Sequence, residues 1–195
     1  MAKARNVSKF LGEFLRHPTT TGAIAPSSSF LAKTMVGWID LPRAQTVLEY
    51  GPGTGVFTEY ILRRLPPDAR FAAIELNGRL AGLFRRRHPQ VTLVEDSVAN
   101  VAAICQKLGM TSVDGIVCGL PWASFPAVLQ TRILDQMMTV MSTRGQFVTF
   151  AYLQGLLLPA GRRFAELLPT YFRQVSKSRI VWLNLPPAFV YQCQR

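Results

Sequence analysis

The sequence predicts one α/β domain built on a mostly parallel, seven-stranded sheet with helices on both faces. Three observations predict it. From Thr46 onward short apolar strands alternate with helical segments, a glycine-rich turn joins the first strand to the next helix, and a chain of 195 residues suits a single domain. No internal repeat or second-domain boundary interrupts this pattern.

An amphipathic helix is expected before the domain, over residues 5–16. Its apolar face carries Val7, Phe10, Leu11, Phe14 and Leu15, and its polar face carries Arg5, Lys9, Glu13 and Arg16. His17-Pro18 ends the helix because a proline restricts the residue before it. A loop over Thr19–Ser29 then supplies serine N-caps for a helix from about Phe30 to Ile39.

The alternating part of the chain follows in order, with apolar runs read as strands and amphipathic runs as helices. The expected strands are Val47–Tyr50, Phe71–Glu75, Val91–Val94, Asp114–Cys118, Gln146–Tyr152, Ser178–Leu183 and Phe189–Gln192. The expected helices are Val56–Leu65, Arg79–Arg87, Val98–Leu108, Gln130–Met141 and Arg162–Leu168.

Charge and cysteine content narrow the classes of protein. The chain has 22 basic and 11 acidic residues, a formal net charge of +11, which favours a nucleic acid or an anionic membrane surface as partner. Its three cysteines show neither metal-ligand spacing nor a disulfide framework, as expected in a reducing cytosol. The longest uncharged stretch, between Arg144 and Arg162, contains polar residues and is too short for a spanning helix.

The run Val47–Thr58 carries the sharpest functional pattern. Its glycines lie where a strand turns into a helix, which allows a tight turn and a close approach of a ligand to the backbone. Glu75 ends the second strand, where a carboxylate can accept both hydroxyls of a ribose. Asp96 follows the third strand, where it can accept from the amine of an adenine, and Gly119-Leu120-Pro121-Trp122 follows the fourth. Strand carboxyl ends bind ligands in such sheets, so a nucleoside site is expected there.

With glycines at 51, 53 and 55 after Glu49, the run resembles class I S-adenosylmethionine-dependent methyltransferases. The Gly-x-Gly-x-x-Gly spacing of dehydrogenases is absent. The sequence is most similar to bacterial phospholipid N-methyltransferases of the short, PmtA-like kind. The segments that carry this likeness are Thr21–Ser28, Val47–Thr58, Val117–Pro121 and Asn184–Tyr191.

The resemblance implies a Rossmann-like class I methyltransferase domain that uses S-adenosylmethionine, releases S-adenosylhomocysteine and needs no metal. It implies that Glu49 orients the amino-acid part of the donor, while Glu75 takes the ribose and Asp96 the adenine. The full set of cofactor-binding residues it implies is Glu49, Gly51, Gly53, Gly55, Glu75, Leu76, Asp96, Ser97 and Gly119.

No residue is assigned as a catalytic acid or base, because transfer of an activated methyl group to an amine needs positioning more than proton transfer. Gly119 and Pro121 are expected to form the wall near the transferred methyl. Trp122 is expected either to face the cation that builds up on the acceptor or to pack against lipid.

The acceptor implied by the resemblance is the amine of phosphatidylethanolamine and of its mono- and dimethyl forms, towards phosphatidylcholine. Three alternatives stay open: an ornithine lipid, an adenine of ribosomal RNA, and a membrane-attached protein that binds the cofactor without catalysis. The related rRNA adenine dimethylases have an asparagine at the position of Gly119 and a helical RNA-binding domain for which this chain has no room. Nucleic acid is therefore the less expected partner.

Residues 1–16 carry four basic side chains and one acidic one, which suits contact with an anionic leaflet. The expected organisation is a membrane-binding helix over 1–18 and a methyltransferase domain over 19–195. The residues expected to contact membrane or substrate are Lys3, Arg5, Lys9, Phe10, Phe14, Trp122 and Arg162, the last as a ligand of a lipid phosphate. A monomer in the cytoplasm, peripherally attached to the inner leaflet, is expected.

Overall fold

The computed structural model describes residues 27–195. The strands of this part of the chain are β1 (Thr46–Tyr50), β2 (Arg70–Glu75), β3 (Thr92–Glu95), β4 (Val113–Cys118), β5 (Met141–Tyr152), β6 (Gln174–Lys177) and β7 (Ala188–Gln194). Its α-helices are α1 (Ser29–Gly37), α2 (Val56–Leu62), α3 (Gly78–Arg87), α4 (Val101–Leu108), α5 (Ala127–Val140) and α6 (Pro159–Tyr171). The helix expected over residues 5–16, and with it the boundary at residue 18, lies outside the described residues.

The seven strands form one sheet in the order β3-β2-β1-β4-β5-β7-β6. β7 runs antiparallel to both of its neighbours, and the pairs from β3 to β5 are parallel. The strand order reverses between β1 and β4, which end side by side at Tyr50 and Cys118. The expected seven-stranded, mostly parallel sheet is confirmed, and this reversal is the place where open α/β sheets form a ligand crevice.

Helices cover both faces of the sheet because successive strand residues point to opposite sides. Leu48 and Tyr50 of β1 pack into the cluster formed with α4, α5 and α6. Val47 packs on the other face against α1 and α2, where Leu31 and Ile61 are fully buried. Strands buried on both faces explain why β1 and β4 read as nearly continuous apolar runs.

Local capping fixes where several helices begin and end. The Ser28 hydroxyl accepts from the Leu31 amide and starts α1, and Asn77 Oδ1 accepts from the amides of Arg79 and Leu80 at the start of α3. Gly109, with a φ of +65°, ends α4 in the left-handed conformation that favours glycine. α6 begins with Pro159 in its first turn, where a missing amide hydrogen costs nothing.

The prediction of a strand over Ser178–Leu183 is wrong. The regular ladder with β7 lies earlier, over β6, and ends where the Ser178 hydroxyl accepts from the Val190 amide in place of a main-chain carbonyl. Beyond it, Val181 makes only an isolated bridge with Ala188. The apolar run that resembled a strand is instead part of a surface connection, residues 178–187, between β6 and β7.

Two composition-based expectations can be compared with the described residues. Cys105, Cys118 and Cys193 are all buried and free. Within residues 27–195 no helix combines the length and the apolar character needed to cross a membrane.

Candidate active site

A cleft of about 170 Å³ lies at the carboxyl ends of the parallel strands. Its floor comes from the turn after β1 and the segment after β4, and its sides come from the ends of β2 and β3. Its lining residues are Gly51, Gly53, Ile74, Glu75, Leu76, Leu80, Asp96, Val98, Gly119, Leu120 and Pro121. The fold therefore brings together seven of the residues that the sequence singled out: Gly51, Gly53, Glu75, Leu76, Asp96, Gly119 and Pro121.

Gly53 is the point at which the turn opens towards the cleft. Its φ is +58°, and a Cβ added to it would meet no atom within 4 Å. A side chain there would enter space that a ligand needs. Gly55 differs, because an added Cβ would lie 2.3 Å from His88 Nε2. Gly55 thus makes room for a buried histidine and does not line the cleft.

Glu75 closes the cleft from the end of β2. It is buried, its Oε2 accepts from the Gly53 amide at 3.1 Å, and its Oε1 accepts from the Asn77 amide at 2.9 Å. Burial raises the pKa of this carboxyl, and backbone hydrogen bonds from Asn77 and Gly53 oppose that rise. The two bonds fix both oxygens beside the glycine turn. The remaining lone pairs of the carboxylate can accept hydrogen bonds from ligand hydroxyls.

Asp96 lines the cleft directly after β3, the strand next to β2. Its Oδ1 accepts from the Ser97 amide at 2.6 Å and from Asn100 Nδ2 at 2.9 Å, which holds the carboxylate in place. Ser97 is buried and does not line the cleft. Its hydroxyl accepts from the Ala99 amide, so its role in the structure is to cap the turn that supports Asp96.

Glu49 lies beneath the glycine turn and does not line the cleft. It is fully buried, and its Oε2 accepts from the Thr58 hydroxyl of α2 at 2.6 Å. No described residue hydrogen-bonds its Oε1. Burial raises the Glu49 pKa to about 8, with the Thr58 bond opposing the rise and the charge of Glu75 adding to it. An unpartnered buried carboxyl oxygen at this position fits a cationic group of a bound donor.

The substitution Glu49→Gln is expected to make the free energy of unfolding less dependent on pH. The folded protein keeps the Glu49 proton up to a pH of about 8, whereas an unfolded chain releases it near 4.5. Wild-type stability therefore falls as pH rises between these values, by on the order of a few kcal/mol, and the glutamine variant lacks this loss.

Denaturant unfolding of the ligand-free protein at about pH 5 and about pH 8.5 measures the difference. Glu59→Gln is the matched control. Glu59 lies in α2, next to Thr58, and forms an exposed ion pair with Arg63, so removing its charge should change stability little. Parallel pH profiles for wild type and Glu49→Gln would contradict the assignment of a raised Glu49 pKa.

A second cavity of about 190 Å³ adjoins the cleft, and Leu120 and Pro121 form a wall common to both. None of the described side chains that line it is charged at neutral pH. They are Leu120, Pro121, Trp122, Ala123, Ser124, Phe150, Ala151, Tyr152, Gln154, Gly155, Leu156, Leu158, Gly161, Phe164 and Pro186. We refer to it as the acceptor cavity.

Tyr152 ends β5 at the acceptor cavity. Its hydroxyl is buried and has no hydrogen-bond partner among the described residues, and burial raises its pKa to about 12. The hydroxyl thus stays neutral at physiological pH and can accept a hydrogen bond from an amine. Tyr152 is not among the residues predicted from the sequence, although it ends a strand, as Glu75 does.

Trp122 is held within the cavity wall. Its ring stacks on Phe164 at a centroid distance of 4.2 Å, and Nε1 donates to the Thr149 hydroxyl at 3.1 Å. Gln130 Nε2 donates to the Trp122 carbonyl, which fixes the backbone of the same segment. The buried indole also packs edge-on against Phe125 and Phe147, and its two expected roles, facing the acceptor cation or packing against lipid, stay predictions.

Of the remaining expected contacts, Arg162 belongs to the described residues, and it is not brought to the site. Arg162 is exposed, does not line the acceptor cavity, and donates through Nε to the Leu156 carbonyl. Lys3, Arg5, Lys9, Phe10 and Phe14 lie outside the described residues. No group of three or more His, Cys, Asp or Glu side chains within residues 27–195 is arranged to hold a metal ion.

Known proteins match this chain over nearly its whole length, although no protein-family model matches it. An ornithine lipid N-methyltransferase of Singulisphaera acidiphila is 33% identical over 188 residues, which cover 95% of this chain and 94% of the relative. Two solved O-methyltransferases share the fold. One from Bacillus cereus, in complex with S-adenosylhomocysteine, has a TM-score of 0.71 at 14% identity and covers 95% of this chain and 90% of its own.

The second solved O-methyltransferase comes from Streptomyces achromogenes, is involved in tomaymycin synthesis and was solved in complex with S-adenosylmethionine. It has a TM-score of 0.68 at 18% identity, over 91% of this chain and 85% of its own. Three observations point to the same family: the order of the strands, the cleft at the β1/β4 reversal, and the likeness to one methyltransferase over nearly the full length. This chain belongs to the class I S-adenosylmethionine-dependent methyltransferases, in the same family as the ornithine lipid enzyme of Singulisphaera acidiphila.

Proposed function

We propose that this protein transfers methyl groups from S-adenosylmethionine to the free amine of an ornithine lipid. The observation that carries the proposal is the acceptor cavity, an uncharged and mostly apolar space that shares the wall Leu120–Pro121 with the donor cleft. The name of the 33% identical relative supports the same acceptor.

The residues of the cleft fit the donor. Glu75 and Asp96 offer carboxylate oxygens from two adjacent strand ends, and the open side of Gly53 leaves room next to the backbone. When bound there, the sulfonium group of S-adenosylmethionine supplies a methyl group already activated for transfer. The work left to the protein is to bring the acceptor amine to the wall formed by Leu120 and Pro121 and to exclude water.

The composition of the acceptor cavity favours ornithine lipid over phosphatidylethanolamine. Among residues 27–195 no lysine or arginine lines it, so an anionic group of the headgroup finds no counter-ion there and stays at the mouth. The side-chain amine of ornithine is joined to its carboxylate by a longer aliphatic spacer than the one between the amine and the phosphate of ethanolamine. That spacer lets the amine enter while the anion stays outside.

The backbone around Gly119 also argues against an adenine acceptor held by an asparagine at that position. A Cβ added to Gly119 would lie 2.7 Å from the carbonyl oxygen of Gly51, closer than real Cβ atoms approach backbone. The turn after β1 and the segment after β4 touch there, and the Gly119 amide donates to the Tyr50 carbonyl at 2.8 Å. An asparagine at 119 would force the two segments apart.

The direct test offers the full-length protein three acceptors with methyl-labelled S-adenosylmethionine. Mixed micelles of ornithine lipid, mixed micelles of phosphatidylethanolamine, and small-subunit ribosomal RNA are incubated separately and analysed by mass spectrometry. We expect methylated ornithine lipid and little label in the other two. Label confined to phosphatidylethanolamine would replace the acceptor, and label confined to RNA would overturn the lipid assignment.

The rate of methyl transfer is expected to rise from about pH 6 to about pH 9. An alkyl ammonium must lose its proton to become a nucleophile, and burial in an uncharged cavity favours the neutral amine. None of the described side chains that line the cavity could act as a general base at neutral pH, since burial raises the Tyr152 pKa to about 12. Single-turnover rates at saturating donor measure this step, and a flat profile would contradict catalysis by positioning alone.

A further inference from the structure

The connection between β6 and β7 exposes large apolar side chains. Trp182 is 68% exposed, Leu183 is 66% exposed and Leu185 is 78% exposed. Asn184, in the middle of this run, is only 2% exposed. The usual arrangement, with apolar side chains inside and the amide outside, is inverted here.

Hydrogen bonds hold this inverted arrangement in place. Asn184 Oδ1 accepts from the Ser28 amide at 2.9 Å, and Asn184 Nδ2 donates to the Pro186 carbonyl at 2.7 Å. The Leu153 amide donates to the Pro187 carbonyl at 3.0 Å, which ties the connection to the end of β5. Because the backbone is anchored from the inside, the apolar side chains are fixed outwards.

The exposed side chains border the mouth of the acceptor cavity. Pro186, next to Leu185, lines that cavity, and so does Leu158, which is exposed together with Leu157 on the other side. We call Leu157, Leu158, Trp182, Leu183 and Leu185 the apolar rim. Arg179 and Lys33 lie beside it, in a groove that Trp182 and Leu183 also line.

The charge of the surrounding sequence is strongly positive. Arg162 and Arg163 follow Leu157 and Leu158 at the start of α6, Lys33 and Arg179 lie in the groove beside Trp182, and Glu166 is the single acidic residue of the sequence from 157 to 187. A protein partner with an apolar patch would not require this excess. An anionic lipid surface matches both properties, since basic side chains attract it and tryptophan and leucine insert at its headgroup level.

We propose that the apolar rim is a membrane-docking face, which inserts into the headgroup region of an anionic leaflet and places the mouth of the acceptor cavity on the lipid. The proposal rests on the proposed lipid acceptor. It is separate from the contact expected for residues 1–16. A lipid headgroup would then reach the Leu120–Pro121 wall from the membrane without crossing water.

Quenching of tryptophan fluorescence by brominated lipids tests the orientation of the full-length protein on vesicles of phosphatidylglycerol and phosphatidylcholine. Trp122 is buried in the cavity wall and Trp38 is half-buried, so Trp182 is the tryptophan expected to be quenched. Trp182→Phe should remove most of the quenching while the protein still binds the vesicles. Quenching that is unchanged in Trp182→Phe would overturn the proposal.

Leu183→Glu with Leu185→Glu should weaken vesicle binding by at least about tenfold, because it places two charges on the inserting surface. Val128→Glu is the matched control, since Val128 is 72% exposed on α5 outside the apolar rim. An equal loss in the control, or no loss in the double variant, would contradict docking by the rim. A wild-type dimer that the double variant abolishes, with vesicle binding intact, would assign the rim to a second copy of this chain instead.

Two further measurements separate this proposal from the proposed function. The double variant should bind S-adenosylmethionine as the wild type does and should methylate ornithine lipid in detergent micelles, while losing activity on vesicles. If the wild type methylates no lipid in micelles yet Trp182 is quenched on vesicles, the acceptor assignment fails and the docking face stands. If micellar methylation is normal and Trp182 is not quenched, the docking face alone fails.

Discussion

The substitution Gly53→Val is expected to weaken S-adenosylmethionine binding by more than about a hundredfold while the protein still folds. A Cβ at this position meets no protein atom within 4 Å, so the valine side chain projects into the cleft between Glu75 and Gly119. The φ of +58° adds backbone strain of roughly 1–2 kcal/mol for a β-branched residue, which lowers stability without unfolding a typical domain.

Gly109→Val controls for that strain. Gly109 has a φ of +65° at the end of α4, and an added Cβ would touch only Arg70 Nη2, at 3.9 Å. Both variants should lose similar stability in denaturant unfolding, and calorimetry should show loss of donor binding in Gly53→Val alone. Normal donor affinity in Gly53→Val would remove the cleft from the donor site, and a parallel loss in Gly109→Val would attribute the effect to stability.

The central features of this fold were predictable because they depend on local patterns that the chain repeats. β1 and β4 are buried on both faces and therefore read as apolar runs, and the turn after β1 needs residues that tolerate positive φ, which Gly51 and Gly53 supply. Parallel strands place their carboxyl ends at one edge of the sheet. This rule brought Glu75 and Asp96 to the same cleft although 20 residues separate them in sequence.

The misplaced last strands show where local pattern fails. Residues 180–183 are an apolar run, and an apolar run is evidence for a strand only when a partner covers it. Here the residue that is buried is Asn184, whose side-chain amide accepts a hydrogen bond from the Ser28 backbone more than 150 positions earlier in the chain. No local pattern reveals so distant a partner, so the sequence could not show that the apolar side chains point outwards.

The sequence also did not show which motif residues line the cleft and which only support it. Glu49, Gly55 and Ser97 belong to the same motifs as the lining residues, yet Glu49 bonds Thr58, Gly55 packs on His88 and Ser97 caps a turn. Spacing identifies which residues gather at a strand end. Which side of the turn each one faces depends on packing against helices that are distant in sequence.

Filling the acceptor cavity should abolish lipid methylation without affecting the donor. Ala151 lines this cavity near the end of β5 and is half-buried, so Ala151→Phe places a ring in the space that the amine requires. Methyl transfer to ornithine lipid in micelles should fall by more than about a hundredfold, whereas affinity for S-adenosylmethionine should stay within about twofold of wild type.

Ala102→Phe is the matched control for Ala151→Phe. Ala102 is half-buried on α4 against the same core cluster but lines neither the cleft nor the acceptor cavity. Overpacking is expected to cost both variants about 1–3 kcal/mol of stability. Only Ala151→Phe should lose methyl transfer, because only its ring occupies the space next to Leu120 and Pro121. Full activity in Ala151→Phe would show that the acceptor reaches the donor by another route, and the cavity would then be a packing void of the core.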